Sequence, residues 1–575
     1  MNPWIVNLLR SAGSGGGYAP PLTGRTLFAP LKSSLVLSEG TGAPTFTRAT
    51  KAWRFNELGL LQEVPSGCAV FDGARLIRNI APKSEGVNAG WSLGGVTASD
   101  ANTLLESSGG TVHKISTSTT GAGTFLMVVY LKRGVGSDRH VRLEISDGSY
   151  IARVNFDIDT GGVSSTAQSG TFSLASYGAA ATLDSEGYRR FYIRVVASAE
   201  TTISFYPVRM LSALNGSISY SGDGTSTILV KRVEIHNVTG YDASYVPEYV
   251  SVGVASTPFF GAGVDGAKYY ETDWQGAPIP AANLLGFRKE TAATNNLLYC
   301  RDLSNAAWST KTNITANKTA TGLDGIANAA TTLTATASDA IILQPITLSS
   351  AARCASAYVK RRTGTGTISF TQDGGSSWTD ITSQINSSAY SRVQITSTLA
   401  NPSVGFKIGT SGDAIDVDCV QNEAGSVATS PIVTTTATVT RNADSLTYQT
   451  ASNWSDTAGT AFVEVAPLAY SGGAIGSATN GLLLSTSNSG ATAYDGTNSA
   501  NGPSGTPGSS EKLAFRWGSS AMTVSSGGVI GTPGTYDGGM ELSSIGVGSS
   551  AAGCFRNAAI YNYAMTDAEL QAVTA

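Results

Sequence analysis

A chain of 575 residues exceeds the usual size of one domain, and its length suggests about three or four domains. Only 14% of the residues are charged, the formal net charge is −4 and no basic block occurs, which argues against nucleic-acid binding because phosphate neutralisation needs clustered Lys and Arg. Gly, Ser, Thr and Ala are abundant and long apolar-periodic helices are almost absent. We therefore predict an all-β, multidomain chain of β-sandwich, jelly-roll-like modules.

The sequence indicates no metal site, no cofactor and no membrane insertion. The five cysteines, at positions 68, 300, 354, 419 and 554, form no CxxC pair, and we expect buried free thiols in a chain made in a reducing cytoplasm. No run of about 18 apolar residues is present to span a membrane. The N-terminus also lacks the basic and apolar regions of a signal peptide.

The first 17 residues, MNPWIVNLLRSAGSGGG, predict a short helix on a glycine-rich tether. Asn2 can cap the helix, and Pro3 fits its first turn. The apolar side chains on one face are then Trp4, Ile5, Leu8 and Leu9. Because so short a helix is not stable alone, we predict that residues 1–24 form a docking peptide with its tether. Packing of this helix on its own chain is the alternative.

Residues 25–77 contain three short apolar runs separated by Gly, Pro and Ser, which predicts an N-terminal β region. The segment FTRAT (Phe46–Thr50) is followed by Gly59, Leu60, Val64, Pro65 and Phe71. This order is similar to the opening of bacteriophage appendage proteins. The resemblance implies a virion protein, whose docking peptide plugs into the particle.

Residues 78–250 and 293–440 carry the same landmarks in the same order, which predicts two carbohydrate-binding-like β-sandwiches related by an internal repeat. Trp91 follows Asn79 by twelve residues, as Trp308 follows Asn296. The segments VYLKRGVG, EGYRRFYIRV and KRVEIHNVTGYDASYVPE of the first module parallel AYVKRRTGTG, SAYSRVQIT and AIDVDCVQNEAGSVATSP of the second. Residues 251–292, between the modules, predict an ordered linker.

The second module opens with TNNLLYCRDLSNAAW, residues 294–308. Asn295 and Asn296 suit a turn, the apolar run at 297–299 predicts a short strand, and Trp308 is expected to anchor a small core. The stretch resembles the opening of a β-sandwich module, similar to carbohydrate-binding modules, that recurs in phage tail fibres and reads much like TNLLLYSEDFSNAAW. Cys300 and Arg301 stand where that family usually has Ser and Glu.

Residues 441–575 predict a third domain of short strands bounded by glycine. The segment RNADSLTY resembles the "TRAAD" link that leads into the last domain of the same family. At the end of the chain a strand with Ile560 and Tyr561 precedes a helix, for which Thr566 and Glu569 form a capping box. This ending resembles the closing segment of laminin-G or concanavalin-like jelly rolls, which implies a lectin-like domain.

Catalytic chemistry finds little support in the sequence. His113, His140 and His236 are scattered and lack a partner motif, which favours ordinary surface or satisfied polar positions. Two carboxylate pairs, Asp157 with Asp159 and Asp416 with Asp418, are each spaced to share a strand face. Glycoside hydrolysis needs carboxyl groups that face each other, and no loop supplies a calcium ligand set. A solvated strand face is the expected role of both pairs.

Sugar binding is better supported, because aromatic rings stack on apolar sugar faces while carboxylates and amides bond the hydroxyls. Trp378 in GGSSWTD and Tyr494 in AYDGTN lie among turn residues, which favours exposure, with burial in a core as the alternative. The candidate carbohydrate-binding residues are Trp378, Asp380, Tyr494 and Asp495.

Three functions are compatible with the sequence. The first is a phage fibre or spike, a homotrimer by resemblance, that attaches to host surface polysaccharide without catalysis and contacts other virion proteins through its N-terminus. The second is a head, collar or tail decoration protein without receptor contact. The third is a capsule-degrading tailspike enzyme, against which stand the absence of parallel β-helix repeats and of a persuasive carboxylate pair.

Overall fold

The computed structural model describes residues 24–136, 140–254, 261–469, 471–477, 480–485, 490–506 and 508–575. The predicted docking peptide, with Trp4, Ile5, Leu8 and Leu9, lies outside the described residues. Two compact units are present. The described residues within 76–260 and 264–268 form one unit, and the remaining described residues form the other.

The all-β prediction is confirmed, because strands dominate throughout the described ranges. Within these ranges the helical elements are α1 (Asp567–Thr574) and two 3-10 turns, Ala281–Asn283 and Thr382–Gln384. None of the helices in this part of the chain is long and apolar enough to cross a membrane.

Six short strands begin the described chain. They are β1 (Arg25–Ala29), β2 (Thr45–Thr47), β3 (Ala52–Phe55), β4 (Leu61–Val64), β5 (Val70–Asp72) and β6 (Arg75–Arg78). Strands β3 and β4 pair as an antiparallel hairpin.

The unit formed by residues 76–260 and 264–268 is built on one large antiparallel sheet around a single apolar core. Its strands are β7 (Ser92–Gly94), β8 (Val96–Ala98), β9 (Thr103–Glu106), β10 (Gly110–Val112), β11 (Lys114–Arg133), β12 (His140–Ser146), β13 (Ile151–Asp157), β14 (Val163–Gln168), β15 (Phe172–Ala179), β16 (Arg189–Met210), β17 (Ser219–Ser221) and β18 (Thr227–Asn237). The two longest, β11 and β16, contribute Phe125 and Phe205, whose rings lie 5.4 Å apart in the core.

The second sandwich follows β19 (Ala267–Tyr270) and β20 (Gly286–Lys289). Its strands are β21 (Ala293–Asn295), β22 (Thr310–Thr312), β23 (Ile314–Ala320), β24 (Ala330–Ala335), β25 (Ala340–Pro345), β26 (Ala351–Thr363), β27 (Ile368–Thr371), β28 (Thr379–Asp380), β29 (Ser391–Leu399), β30 (Ser403–Ile408), β31 (Ala414–Ala424) and β32 (Val439–Arg441). A sheet ordered β22-β25-β30-β27-β28 and a sheet ordered β23-β24-β31-β26-β29 share one core.

The C-terminal part of the chain contains two further sheets. Its strands are β33 (Ser445–Tyr448), β34 (Gly459–Pro467), β35 (Gly472–Gly476), β36 (Gly481–Ser485), β37 (Gly490–Tyr494), β38 (Ser499–Ser504), β39 (Glu511–Gly518), β40 (Ala521–Ser526), β41 (Val529–Ile530), β42 (Gly534–Thr535), β43 (Ile545–Val547) and β44 (Gly553–Tyr561). The predicted capping box is confirmed, since Thr566 and Glu569 each accept a hydrogen bond from the other's backbone N–H.

Both C-terminal sheets recruit strands from earlier in the chain. Strand β44 pairs with β1 and with β20, which in turn pairs with β5. Strand β33 pairs with β2. Parts of the predicted N-terminal β region and linker are therefore integral strands of the C-terminal sheets.

The internal repeat has a clear structural counterpart in the arrangement of the landmark strands. In the first module β11 pairs with β16 on one side and β18 on the other, and in the second module β26 pairs with β29 and β31 in the same way. All four pairings are antiparallel, and the strands are those that carry the parallel sequence segments.

One asparagine in each module makes a similar set of buried hydrogen bonds. Asn79 accepts from the N–H of Ala81 and of Ile235 and donates to the carbonyl of Val250. In the second module Asn295 accepts from the N–H of Leu297 and of Asn422, which lies on β31. It donates to the carbonyl of Val420 on the same strand and to that of Ile432 beyond it. The residue equivalent to Asn79 is therefore Asn295, whereas the sequence alignment used its neighbour.

The opening of the second module differs from the prediction in its local structure. Trp308 is buried in the core as expected. The predicted turn at Asn295 and the predicted strand at 297–299 are both wrong, because the strand is β21, which ends at Asn295. Tyr299 has a φ of 48°, and the chain therefore bends where a strand would need negative φ. The bend carries Leu297 and Leu303 into the core beside Trp308.

Candidate functional site

The sheet that contains β28 has an apolar inner face, and its outer face carries polar side chains from β27, β28 and β30. Alternation along β27 and β30 sends Phe370 and Phe406 into the core, where their rings stack at 4.9 Å. The cross-strand neighbours Asp380, Ser369 and Lys407 form a row on the opposite face. Asp380 is one of the candidate residues predicted from the sequence. Lys407, the basic residue of the row, was not predicted.

Trp378 extends this outer row at the edge of the sheet. It lies two residues before Asp380, and so on the same face, and it is half-buried. The ammonium nitrogen of Lys407 lies 5.3 Å from the centre of the indole ring. A ring, an ammonium and an exposed carboxylate are thus brought together on one surface. We refer to Trp378, Asp380 and Lys407 as the tryptophan platform.

A tight turn before the platform holds the indole in place. Asp373 accepts hydrogen bonds from the Thr371 hydroxyl at 2.8 Å and from the Ser377 N–H at 3.0 Å. Burial acts to raise the pKa of Asp373, but the hydrogen bonds from Ser377 and Thr371 outweigh it and the pKa is lowered. Gly375 in this turn has a φ of 91°, and a Cβ there would lie 2.9 Å from the Trp378 ring, so the position requires glycine.

Asp380 is the accessible acid of the platform. Its Oδ1 atom accepts the Thr382 N–H at 2.8 Å, and hydrogen bonds from the Thr382 side chain and backbone lower its pKa. Asp380 is therefore ionised at neutral pH, and its exposed carboxylate retains acceptor capacity for hydroxyl groups. The ammonium nitrogen of Lys407 lies 3.9 Å from the exposed Asp339 carboxylate, a long contact that leaves its N–H groups with donor capacity.

The structure places the other predicted pair, Tyr494 and Asp495, at the end of β37 in the C-terminal part. The Tyr494 hydroxyl donates to the Gly496 carbonyl at 2.8 Å, and the ring is half-buried. Asp495 is buried, and its carboxylate accepts the N–H groups of Thr497 and Asn498. Burial acts to raise the pKa of Asp495, yet these hydrogen bonds lower it. Asp495 thus shapes a turn, and the tryptophan platform is the more open of the two candidates.

The expectation that Asp157 and Asp159 share a strand face is wrong. Asp157 is the last residue of β13 and is buried, whereas Asp159 is an exposed residue of the following turn. The Asp157 carboxylate accepts the N–H groups of Asp159 and Thr160, both at 3.0 Å. The chain therefore turns between the two carboxylates, and Asp157 caps that turn.

The expectation of a solvated face at Asp416 and Asp418 is also wrong, because both side chains are buried on β31. Asp416 accepts from the Thr332 hydroxyl at 2.8 Å and pairs with Arg362 at 3.1 Å. The Asp418 carboxylate accepts hydrogen bonds from Nε and Nη2 of Arg301, at 2.8 and 2.9 Å. Burial acts to lower the pKa of Arg301, but the Asp418 carboxylate raises it well above its usual value. Each carboxylate is held by a cation in a structural pair.

The three histidines have separate, ordinary surroundings. His113 is buried with Nε2 at 3.1 Å from the Ser107 carbonyl, and His140 lies 3.5 Å from the Asp157 carboxylate. His236 contacts the Arg78 carbonyl at 3.0 Å and Glu234 at 3.3 Å. In the described part of the chain no three His, Cys, Asp or Glu side chains are grouped to hold a metal ion.

The cysteines are free thiols. Cys68, Cys300, Cys354 and Cys419 are buried and Cys554 is partly exposed. Burial raises the pKa of the Cys354 thiol to about 12, which keeps it protonated at neutral pH.

Comparisons with known proteins add little to this description. Neither the scan against family models nor the search of curated proteins finds a match. Among solved structures the chain is similar to the LG1-3 region of the laminin alpha2 chain, with 12% sequence identity and a TM-score of 0.15, over 79% of this chain and 96% of that chain. A similarity at that TM-score carries no inference about the present protein.

Proposed function

We propose that this chain is a bacteriophage virion appendage protein, a fibre or spike, that attaches the particle to the host cell surface by binding glycans without catalysis. In this proposal the N-terminal segment with Trp4, Ile5, Leu8 and Leu9 docks to other virion proteins, and the chain assembles as a homotrimer. Repeated sandwich modules suit such a role, because several weak sites on one particle combine through effective concentration.

The observation that carries the glycan-binding part is the tryptophan platform. A half-buried indole offers an apolar face to a sugar ring, and the Asp380 carboxylate and Lys407 ammonium beside it offer an acceptor and a donor to its hydroxyl groups. Asp380 is exposed and Trp378 is half-buried, so the edge of the sheet that carries them is accessible to a polysaccharide.

Support for the virion part comes from the sequence resemblance of residues 294–308 and of FTRAT, together with the structural role of these segments. The first supplies Asn295, Leu297 and Trp308 to the core of the second sandwich. The second supplies β2, which pairs with β33 at the start of the last domain. Both segments therefore contribute to the structure of their domains. Motifs that a family of modules shares are expected to have such a structural role.

Binding of the purified full-length chain to an array of bacterial capsule and lipopolysaccharide glycans tests the proposal. We expect saturable binding that falls about tenfold or more in Trp378→Ala, since stacking of a sugar on an aromatic ring is lost. Tyr177→Ala removes an exposed aromatic of the other unit and serves as the control. If the folded wild-type chain binds no glycan, attachment is excluded and a decoration role takes its place.

Deletion of residues 1–17 tests the docking part. Phage particles assembled with the truncated chain should lack it, while the purified truncated chain keeps the melting temperature of the full chain. Particles that carry the truncated chain at the normal level would contradict the assignment of this segment.

A further inference from the structure

A groove of about 320 Å³ lies at the end of the second sandwich, where β21 pairs with β32. It is distinct from the tryptophan platform, which lies on the outer face of the sheet that contains β28. The groove is lined by Ala292, Ala293, Thr294, Asn296, Arg353, Ala424 and Thr440. Two of these residues belong to the stretch 294–308 that opens the module.

Among the described residues that line the groove, Arg353 is the one charged residue, and its side chain has a donor without an acceptor. The residue is 5% exposed, and Nη2 donates to the Ser349 carbonyl at 2.8 Å. The Nε–H group of Arg353 is buried without a hydrogen-bond acceptor among the described residues. A buried donor without an acceptor is unfavourable, and a buried cation is normally paired.

The residues other than Arg353 that line the groove are uncharged. The hydroxyl groups of Thr294 and Thr440 lie 2.8 Å apart across the β21–β32 pair. Asn296 donates to the Asn422 carbonyl at 2.9 Å, so its amide oxygen remains as an acceptor. The three alanines supply small apolar surfaces between these groups. Hydroxyl and amide groups beside apolar patches match the two kinds of surface that a pyranose ring presents.

We propose that this groove binds one acidic sugar unit, a hexuronate residue of a polysaccharide, with its carboxylate on the Arg353 guanidinium. A planar guanidinium is the group best suited to a carboxylate, since it donates two parallel hydrogen bonds. The volume lies at the low end of the range of about 300–1,000 Å³ that is usual for small-molecule sites, which fits one ring rather than an extended chain. The inference rests on the proposed glycan binding and narrows its ligand to anionic polysaccharides.

Calorimetric titration of the full-length chain with glucuronate oligosaccharides provides the test, with the corresponding methyl esters and acetate as comparison ligands. We expect saturable binding of the oligosaccharides, and affinity at least about tenfold lower for the neutral esters and for acetate. Equal affinity for the esters would overturn the carboxylate contact. Equal affinity for acetate would overturn the sugar contact.

Two variants locate the site. Arg353→Gln should reduce glucuronate affinity about tenfold or more, while Lys318→Gln, which removes an exposed positive charge from the same sandwich, should leave it within about twofold. Thr440 is exposed, so Thr440→Trp is expected to fold and to fill the groove, with loss of binding. Glucuronate binding unchanged in folded Thr440→Trp overturns the proposal even if Arg353→Gln does not fold.

Failure of this inference is separable from failure of the proposed function. A chain that binds neutral bacterial glycans through Trp378, with no preference for uronates, retains the attachment role and loses the groove assignment. A chain that binds no glycan on the array, acidic or neutral, loses both.

Discussion

Arg48 and Asp444 form a buried ion pair, with Nη1 at 2.9 Å from Oδ1, although 396 residues separate them in sequence. Arg48 belongs to the FTRAT segment and Asp444 belongs to the RNADSLTY segment. The pairing of β2 with β33 holds the segments side by side. Arg48 also donates to the carbonyls of Pro65 and Cys68, so one side chain ties three segments together.

Replacement of Arg48 should destabilise this unit strongly. In Arg48→Met the Asp444 carboxylate remains buried with one cation fewer, and loss of one partner of a buried pair costs about 3–5 kcal/mol. Urea unfolding of the full chain, followed by tryptophan fluorescence, measures the change. Lys51→Met removes an exposed partner of Glu63 and should cost only about 0–1 kcal/mol. If Arg48→Met and Lys51→Met lower the free energy of unfolding equally, burial does not determine how much the Arg48–Asp444 ion pair contributes to stability.

The sequence predicted the local structure well and the long-range contacts poorly. Alternating segments became strands, Thr566 and Glu569 formed their capping box, and Trp308 entered the core, because each depends on neighbours within a few residues. The Arg48–Asp444 pair and the burial of Asp418 by Arg301 depend on distant segments, which a local pattern does not encode.

The candidate site shows the same division between local and long-range information. Trp378 and Asp380 were found because the turn residues around Trp378 in GGSSWTD favour an exposed aromatic with a carboxylate close by in sequence. Lys407 was missed, although the alternation in SVGFKIG indicates that it points away from the core, because only the pairing of β27 with β30 and β28 brings it beside Trp378.

Asn79→Ala and Asn295→Ala should destabilise their own modules by similar amounts. Each side chain satisfies buried backbone groups on two segments, and a buried group left unsatisfied costs about 1–3 kcal/mol. We expect a loss of about 3 kcal/mol or more in each case. Hydrogen exchange resolved by segment should show faster exchange near residue 235 in the first variant and near 422 in the second.

Asn296→Ala is the control for this prediction. Asn296 is half-buried and donates only to carbonyl groups, so the loss of its side chain should have a clearly smaller effect than the loss of its neighbour Asn295. A larger loss of stability in Asn296→Ala than in Asn295→Ala would mean that Asn296 is the equivalent of Asn79, as the sequence suggested, and that Asn295 is not.

The C-terminal helix depends on its capping residue. Thr566→Ala removes the side-chain acceptor for the Glu569 N–H and should cost about 1 kcal/mol, whereas Thr566→Ser keeps it. Leu570→Ala removes a fully buried side chain from the cluster beneath the helix and should cost about 2–5 kcal/mol. Thermal unfolding should give Thr566→Ser the highest melting temperature of the three variants, Thr566→Ala a lower one and Leu570→Ala the lowest. A Ser variant as unstable as the Ala variant would contradict the capping role.

Glu290 should make the stability of its unit depend on acid pH. Burial acts to raise the pKa of this carboxyl, but Arg441 and Arg288 lower it to about 2 from an ordinary 4.5. Since the pKa of the folded state lies below that of the unfolded state, the stabilisation is complete above about pH 4.5 and is lost as the pH falls towards 2. At about 1.4 kcal/mol for each pKa unit, the change is about 3 kcal/mol.

Glu290→Gln isolates this contribution. The amide cannot titrate, so the difference in unfolding free energy between the wild-type chain and the variant should shrink by about 3 kcal/mol from pH 6 to pH 2. Urea unfolding at a series of pH values measures that difference, and other acidic groups cancel because both chains contain them. A difference that stays constant across this range would mean that Glu290 has the same proton affinity in the folded and unfolded chains.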